Sequence, residues 1–80
     1  MSHGGRNTYS TRLPRALARA TFGQVQEAMG RNFTTTVLAV QHEGAVLNPG
    51  WDAPLPERAV LYYAGERRLS GEEITRAVTR

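Results

Sequence analysis

The sequence predicts an α+β fold, with a small, mainly antiparallel sheet of about four strands and two short helices in βαβββα order. Three observations point there. Residues 34–41 and 59–64 are dense in β-branched and aromatic side chains, with apolar groups on both alternating faces: Val37 and Ala39 against Leu38 and Val40, then Leu61 and Tyr63 against Val60 and Tyr62. Residues 21–30 and 70–80 instead carry apolar side chains at helical spacing behind capping-box residues. Between the two apolar strands, Gly44, Asn48-Pro49-Gly50, Pro54 and Pro56 break regular structure into turns.

Residues 1–6, which include Ser-His-Gly-Gly, have little to bury and are expected to be a disordered leader before one domain over 7–80. Residues 7–13 alternate Thr8, Ser10 and Arg12 with Tyr9, Thr11 and Leu13, and Pro14, which lacks an N–H, assigns this strand to a sheet edge. Thr21 and Gln24 make the capping box of the first helix, Phe22, Val25 and Met29 its apolar stripe, and Gly30 its expected left-handed stop. Gly23 weakens that helix by about 1 kcal/mol relative to Ala, so its expected purpose is close approach to a neighbour.

Strand 34–41 leads through His42 and Glu43 to a hairpin tip at Gly44, with Ala45, Val46 and Leu47 returning. Trp51 is left with two readings, a rim anchor at an interface or a lid on the core. Ser70 and Glu73 cap the final helix, whose apolar face is Ile74, Ala77 and Val78. Glu72 and Glu73 lie near its positive end and Arg76 and Arg80 near its negative end.

Eighty residues allow one small core, and a chain of this size buries only about 60% of the surface its unfolded form exposes. Strands that are apolar on both faces therefore call for a helix layer on one side and a second copy on the other. With no cysteine, disulfides and thiolate metal sites are excluded. No apolar run approaches the roughly 20 residues needed to cross a bilayer, and no signal peptide is visible. Net charge is +3, all ten basic residues are arginine, and residues 1–33 hold five of them against one Glu. That asymmetry supports a rival expectation, a small arginine-rich nucleic-acid or phosphate-ligand binding domain using Arg6, Arg12, Arg15 and Arg19. An adaptor with no small ligand is the other alternative.

Catalytic signatures are missing. His3 and His42 belong to no metal-ligand spacing, no glycine-rich loop leads into a phosphate-binding helix, and Ser70 is a cap with no nucleophile elbow around it. Glu43, Asp52 and Glu57 do not form a loop of alternating carboxylates that would hold calcium. Tyr62-Tyr63 has no adjacent basic residue of the kind single-strand binders interleave, so nucleic acid is not the expected partner.

The order of parts carries a resemblance. Leu17 and Ala20-Thr21-Phe22-Gly23 before the helix, Thr36-Val37-Leu38-Ala39-Val40 in the strand, Gly44, Asn48-Pro49, Asp52 with Leu55, and Leu61-Tyr62-Tyr63-Ala64-Gly65 in the closing strand together resemble the C-terminal subdomain of RCK proteins, the TrkA-C domain. The likeness spans about residues 7–80 through short, mostly structural motifs. Two features depart from it: Arg58-Ala59 stand where the family usually has Gly-Asp, and Arg19 where glycine is common.

The resemblance implies a non-catalytic cytoplasmic regulatory domain of a potassium channel or transporter, a homodimer that senses a small ligand and works with a membrane subunit at the inner face of the membrane. In some relatives the effector is a cyclic dinucleotide or a divalent cation. His42, Asn48, Pro49 and Asp52 are the expected ligand-binding residues, and Trp51, Tyr62 and Val40 the expected interface. The family's nucleotide-binding Rossmann subdomain is not in this sequence, which implies an excised fragment or a stand-alone product.

Overall fold

The computed structural model describes residues 7–79, which run in the order β1 (Asn7–Arg12), a 3-10 turn (Arg15–Leu17), α1 (Phe22–Phe33), β2 (Thr36–His42), β3 (Ala45–Leu47), β4 (Val60–Gly65) and α2 (Gly71–Thr79). The expected leader, residues 1–6, lies outside the described residues. All strand pairs are antiparallel and the sheet order is β1-β4-β2-β3, so β1 is an edge strand, as expected, and Pro14 lies just past its end. This is the α+β arrangement the sequence predicts.

Period-2 alternation in β4 sets the layers. Leu61, Tyr63 and Gly65 are buried beneath the two helices, while Val60, Tyr62 and Ala64 are only half-buried on the opposite face. Val25 and Met29 from α1 and Ile74 from α2 meet Leu61, Tyr63, Val37 and Val40 in the core, which Leu13, Leu17, Leu55 and Leu69 close at its margins.

In β2 the expected phase is corrected. The register to β4 shifts between Val37 and Ala39, so that Leu38 is an unpaired extra residue. Val37 and Val40 therefore both end up buried, whereas strict alternation would put them on opposite faces. The Gln26 side chain supports the irregularity from α1: its Oε1 accepts the Val37 N–H at 2.9 Å and its Nε2 donates to the Val37 carbonyl at 3.4 Å. A side-chain amide thus stands in for a strand backbone where the ladder is disturbed.

Helix α1 starts as expected. The Thr21 hydroxyl accepts the Gln24 N–H and the Gln24 side chain accepts the Thr21 N–H, a closed capping box. Its end differs from expectation: the helix continues past Gly30 to Phe33, and the left-handed residue is Thr34, at φ 51°. Phe33 packs against the core, and that contact rewards the additional turn beyond Gly30. The β2–β3 hairpin turns through Glu43 and Gly44, at φ 52° and 82°, the pair of positive φ values that matches strand twist in a two-residue loop.

A buried hydroxyl network ties α2 to the sheet. The Tyr63 hydroxyl accepts the Leu69 N–H at 2.9 Å and shares a 2.6 Å hydrogen bond with the Thr11 hydroxyl, which also donates to the Leu69 carbonyl at 2.8 Å. At the start of α2, Ser70 and Glu73 close the second capping box, with Ser70 N–H to Glu73 Oε1 at 2.9 Å and Glu73 N–H to Ser70 Oγ at 3.1 Å. The Arg67 guanidinium forks onto both oxygens of the same carboxylate. That hydrogen bond first, and the Ser70 N–H second, bring the Glu73 carboxyl down from 4.5 to about 2, and the hydrogen bond to Glu73 raises the Arg67 guanidinium above its ordinary value.

Candidate functional site

The connection from β3 to β4, residues 48–59, crosses the N-terminal end of α1 and is fixed there by its own backbone. Phe22 N–H donates to the Ala53 carbonyl at 3.0 Å, Gly23 N–H to the Trp51 carbonyl at 2.7 Å, and Leu55 N–H to the Ala20 carbonyl at 2.9 Å. The first two of these bonds occupy helix donors that would otherwise lack partners. With the Gln24 N–H bound by Thr21, none of the first three N–H groups of α1 is left for an anion.

Trp51 is packed against α1 on one side and open on the other. Its indole lies over Gly23, where a Cβ would fall 2.3 Å from the ring nitrogen, and it meets Phe22 edge-on at a centroid distance of 6.4 Å. Yet 58% of the residue remains exposed. Gly23 is therefore the close-approach position that its placement in a helix suggests, and Trp51 is held in place while its outer surface stays open.

The four expected ligand residues surround this connection without converging. His42 ends β2 opposite Ala45 and is half-buried, Asn48 and Asp52 are exposed, and Pro49 is half-buried. Asp52 lies within the turn that Ala53 N–H closes on the Gly50 carbonyl at 3.1 Å. No hydrogen bond or ion pair links the side chains of His42, Asn48 and Asp52 to one another among the described residues. Nor does any group of three His, Asp or Glu side chains there lie close enough to hold a metal ion.

The expected interface residues divide. Tyr62 lies on the outer face of the sheet, in a cross-strand row with Ser10 and Ala39, and its hydroxyl donates to Gln41 Oε1 at 2.9 Å. The next row is Arg12, Val60, Gln41 and Val46, of which Val46 is 71% exposed. Val40 does not belong with them: it is fully buried in the core, because the bulge turns it toward the helices. Leu38, the extra residue, is the exposed one at 56%. A bulge depends on partner-strand register, and neither neighbour of Leu38 in the chain signals it.

Arg12, Arg15 and Arg19 are exposed and make no ion pair among the described residues; Arg6 lies outside them. The departure at Arg58 is resolved by geometry. Ala59 N–H closes a turn on the Pro56 carbonyl at 3.4 Å, and Arg58 within it sits at φ 66°, the conformation glycine adopts without penalty. The backbone thus takes a left-handed turn with a long side chain at a position that favours glycine. No protein-family model matches the sequence, and no curated protein matches it significantly. No helix of the described residues is long and apolar enough to cross a membrane.

Proposed function

We propose that this protein is a non-catalytic regulatory domain of the TrkA-C kind, which pairs with a second copy of itself and transmits the binding of a small effector to a potassium channel or transporter at the cytoplasmic face of the membrane. The observation that carries the proposal is the outer face of the sheet. Tyr62, Val60, Ala39 and Val46 line a surface that the single copy leaves half-covered or exposed, while Val37, Val40, Leu61 and Tyr63 on the inner face are buried. The βαβββα order, the Gly44 hairpin and the left-handed turn at Arg58 support the same family likeness.

In a pair, Trp51 is a held aromatic anchor with an open outer surface, suited to an interface. Among the described residues, His42 and Asp52 belong to no cluster of three His, Asp or Glu side chains that could hold a metal ion within one copy. A site shared by two copies would draw ligands from both, and binding would favour one arrangement of the pair over another, which is what a regulatory signal requires. The proposed effector is a cyclic dinucleotide or a divalent cation.

Thermal unfolding in the presence of cyclic dinucleotides, adenine nucleotides and calcium tests this reading. A bound effector at 100 times its dissociation constant adds about 2.7 kcal/mol of stability and raises the midpoint accordingly. A screen that is flat for every compound would instead favour an adaptor with no small ligand.

A further inference from the structure

A second surface feature adjoins the outer sheet face at Arg12 and extends from there along α2. Where the chain leaves β1 and turns toward α1, it forms a groove of about 640 Å³ against the outer side of α2. The α2 wall is a stripe at four-residue spacing, Gly71, Thr75 and Thr79, which extends about 12 Å at 1.5 Å per residue. That length accommodates roughly four residues of extended chain.

The stripe is less polar than its sequence suggests. The Thr75 hydroxyl donates to the Gly71 carbonyl at 2.9 Å and the Thr79 hydroxyl to the Thr75 carbonyl at 2.8 Å, so both hydroxyls are engaged within the helix. With Leu13, Pro14 and Ala16 opposite, the groove offers mainly carbon to a visitor. Its charged walls are Arg12 and Arg76, both exposed and neither in an ion pair among the described residues, together with Glu72.

We propose that this groove docks a short acidic segment of a partner protein, an extended stretch in which an aliphatic or aromatic side chain is flanked by carboxylates. The apolar side chain would cover the floor, and each guanidinium can take a carboxylate through two parallel hydrogen bonds. Glu72 argues against a uniform polyanion: a nucleic-acid backbone would bring phosphates up to that carboxylate and has no aliphatic group for the floor. The proposal does not depend on the regulatory reading above, since the groove and the outer sheet face share Arg12 alone.

Fluorescence anisotropy with the whole 80-residue chain tests it, using labelled Gly-Asp-Leu-Phe-Asp-Gly, its counterpart with lysine in place of aspartate, and a short oligo-dT. The acidic peptide is expected to bind best, with amide chemical-shift changes at Ala16, Thr75 and Thr79. Arg76→Glu should weaken that binding about tenfold or more. Ala16→Glu, which places a carboxylate in the groove from an exposed position, should weaken it as well, with far-UV circular dichroism unchanged in both variants. Equal binding of the lysine peptide, preference for oligo-dT, shifts centred on Val60 and Tyr62, or no peptide binding at all would each overturn the proposal.

Discussion

At Tyr63 a single hydroxyl serves three buried groups, and it is the polar centre of an otherwise apolar core. Replacing it in Tyr63→Phe leaves the ring in place but removes the acceptor of the buried Leu69 N–H. The expected cost is about 1–3 kcal/mol in chemical denaturation. A cost near zero would mean that the segment before α2 is held by packing alone. Arg58 makes the opposite case. A non-glycine residue in the left-handed region carries a steric penalty of about 1–2 kcal/mol, of which the greater flexibility of an unfolded glycine chain cancels part. Arg58→Gly should therefore stabilise the fold by up to about 1 kcal/mol, whereas Gly44→Ala, at φ 82°, should destabilise it by a similar amount. If both substitutions shift the midpoint the same way, backbone strain is not what distinguishes the two turns.

Among the elements, α2 depends on a carboxylate at its first turn. The Glu73 carboxyl is held at about 2 in the folded chain against an ordinary 4.5, so folding favours the ionised form. Its contribution is fully present above pH 4.5 and is lost as the pH falls toward 2, because the protonated group can no longer accept from both Arg67 and Ser70. Unfolding measured across that interval should show a decline that is shallower in Glu73→Gln. Parallel profiles would place the acid sensitivity elsewhere.

The two capping boxes were legible in the sequence because each closes over three residues, Thr21 with Gln24 and Ser70 with Glu73, and needs no distant partner. The Gly44 hairpin and the approach over Gly23 were legible for the same local reason. The phase of β2 was not, since Leu38 is extruded by the register with β4 and by the reach of Gln26 from α1. Nor was the end of α1, where contact of Phe33 with the core outweighs the stop signal at Gly30. The groove beside α2 joins residues 12–16 to 71–79, nearly the full length of the chain apart, and only folding brings them together.

For the molecule as a whole, one layer of helices covers one face of a four-stranded sheet and leaves the other with Tyr62, Val60 and Val46 facing outward. A chain this small has little core to spare, and apolar area removed from water contributes about 25 cal/mol per Å². Covering that face would add stability, and the proposed second copy would bring a surface of matching character. Sedimentation equilibrium over a range of protein concentrations, on the wild type, Tyr62→Ala and Trp51→Ala, tests this most directly. The account predicts a reversible dimer that both substitutions weaken, with the unfolding midpoint of the dilute monomer little changed; a wild type that stays monomeric throughout the range would contradict it.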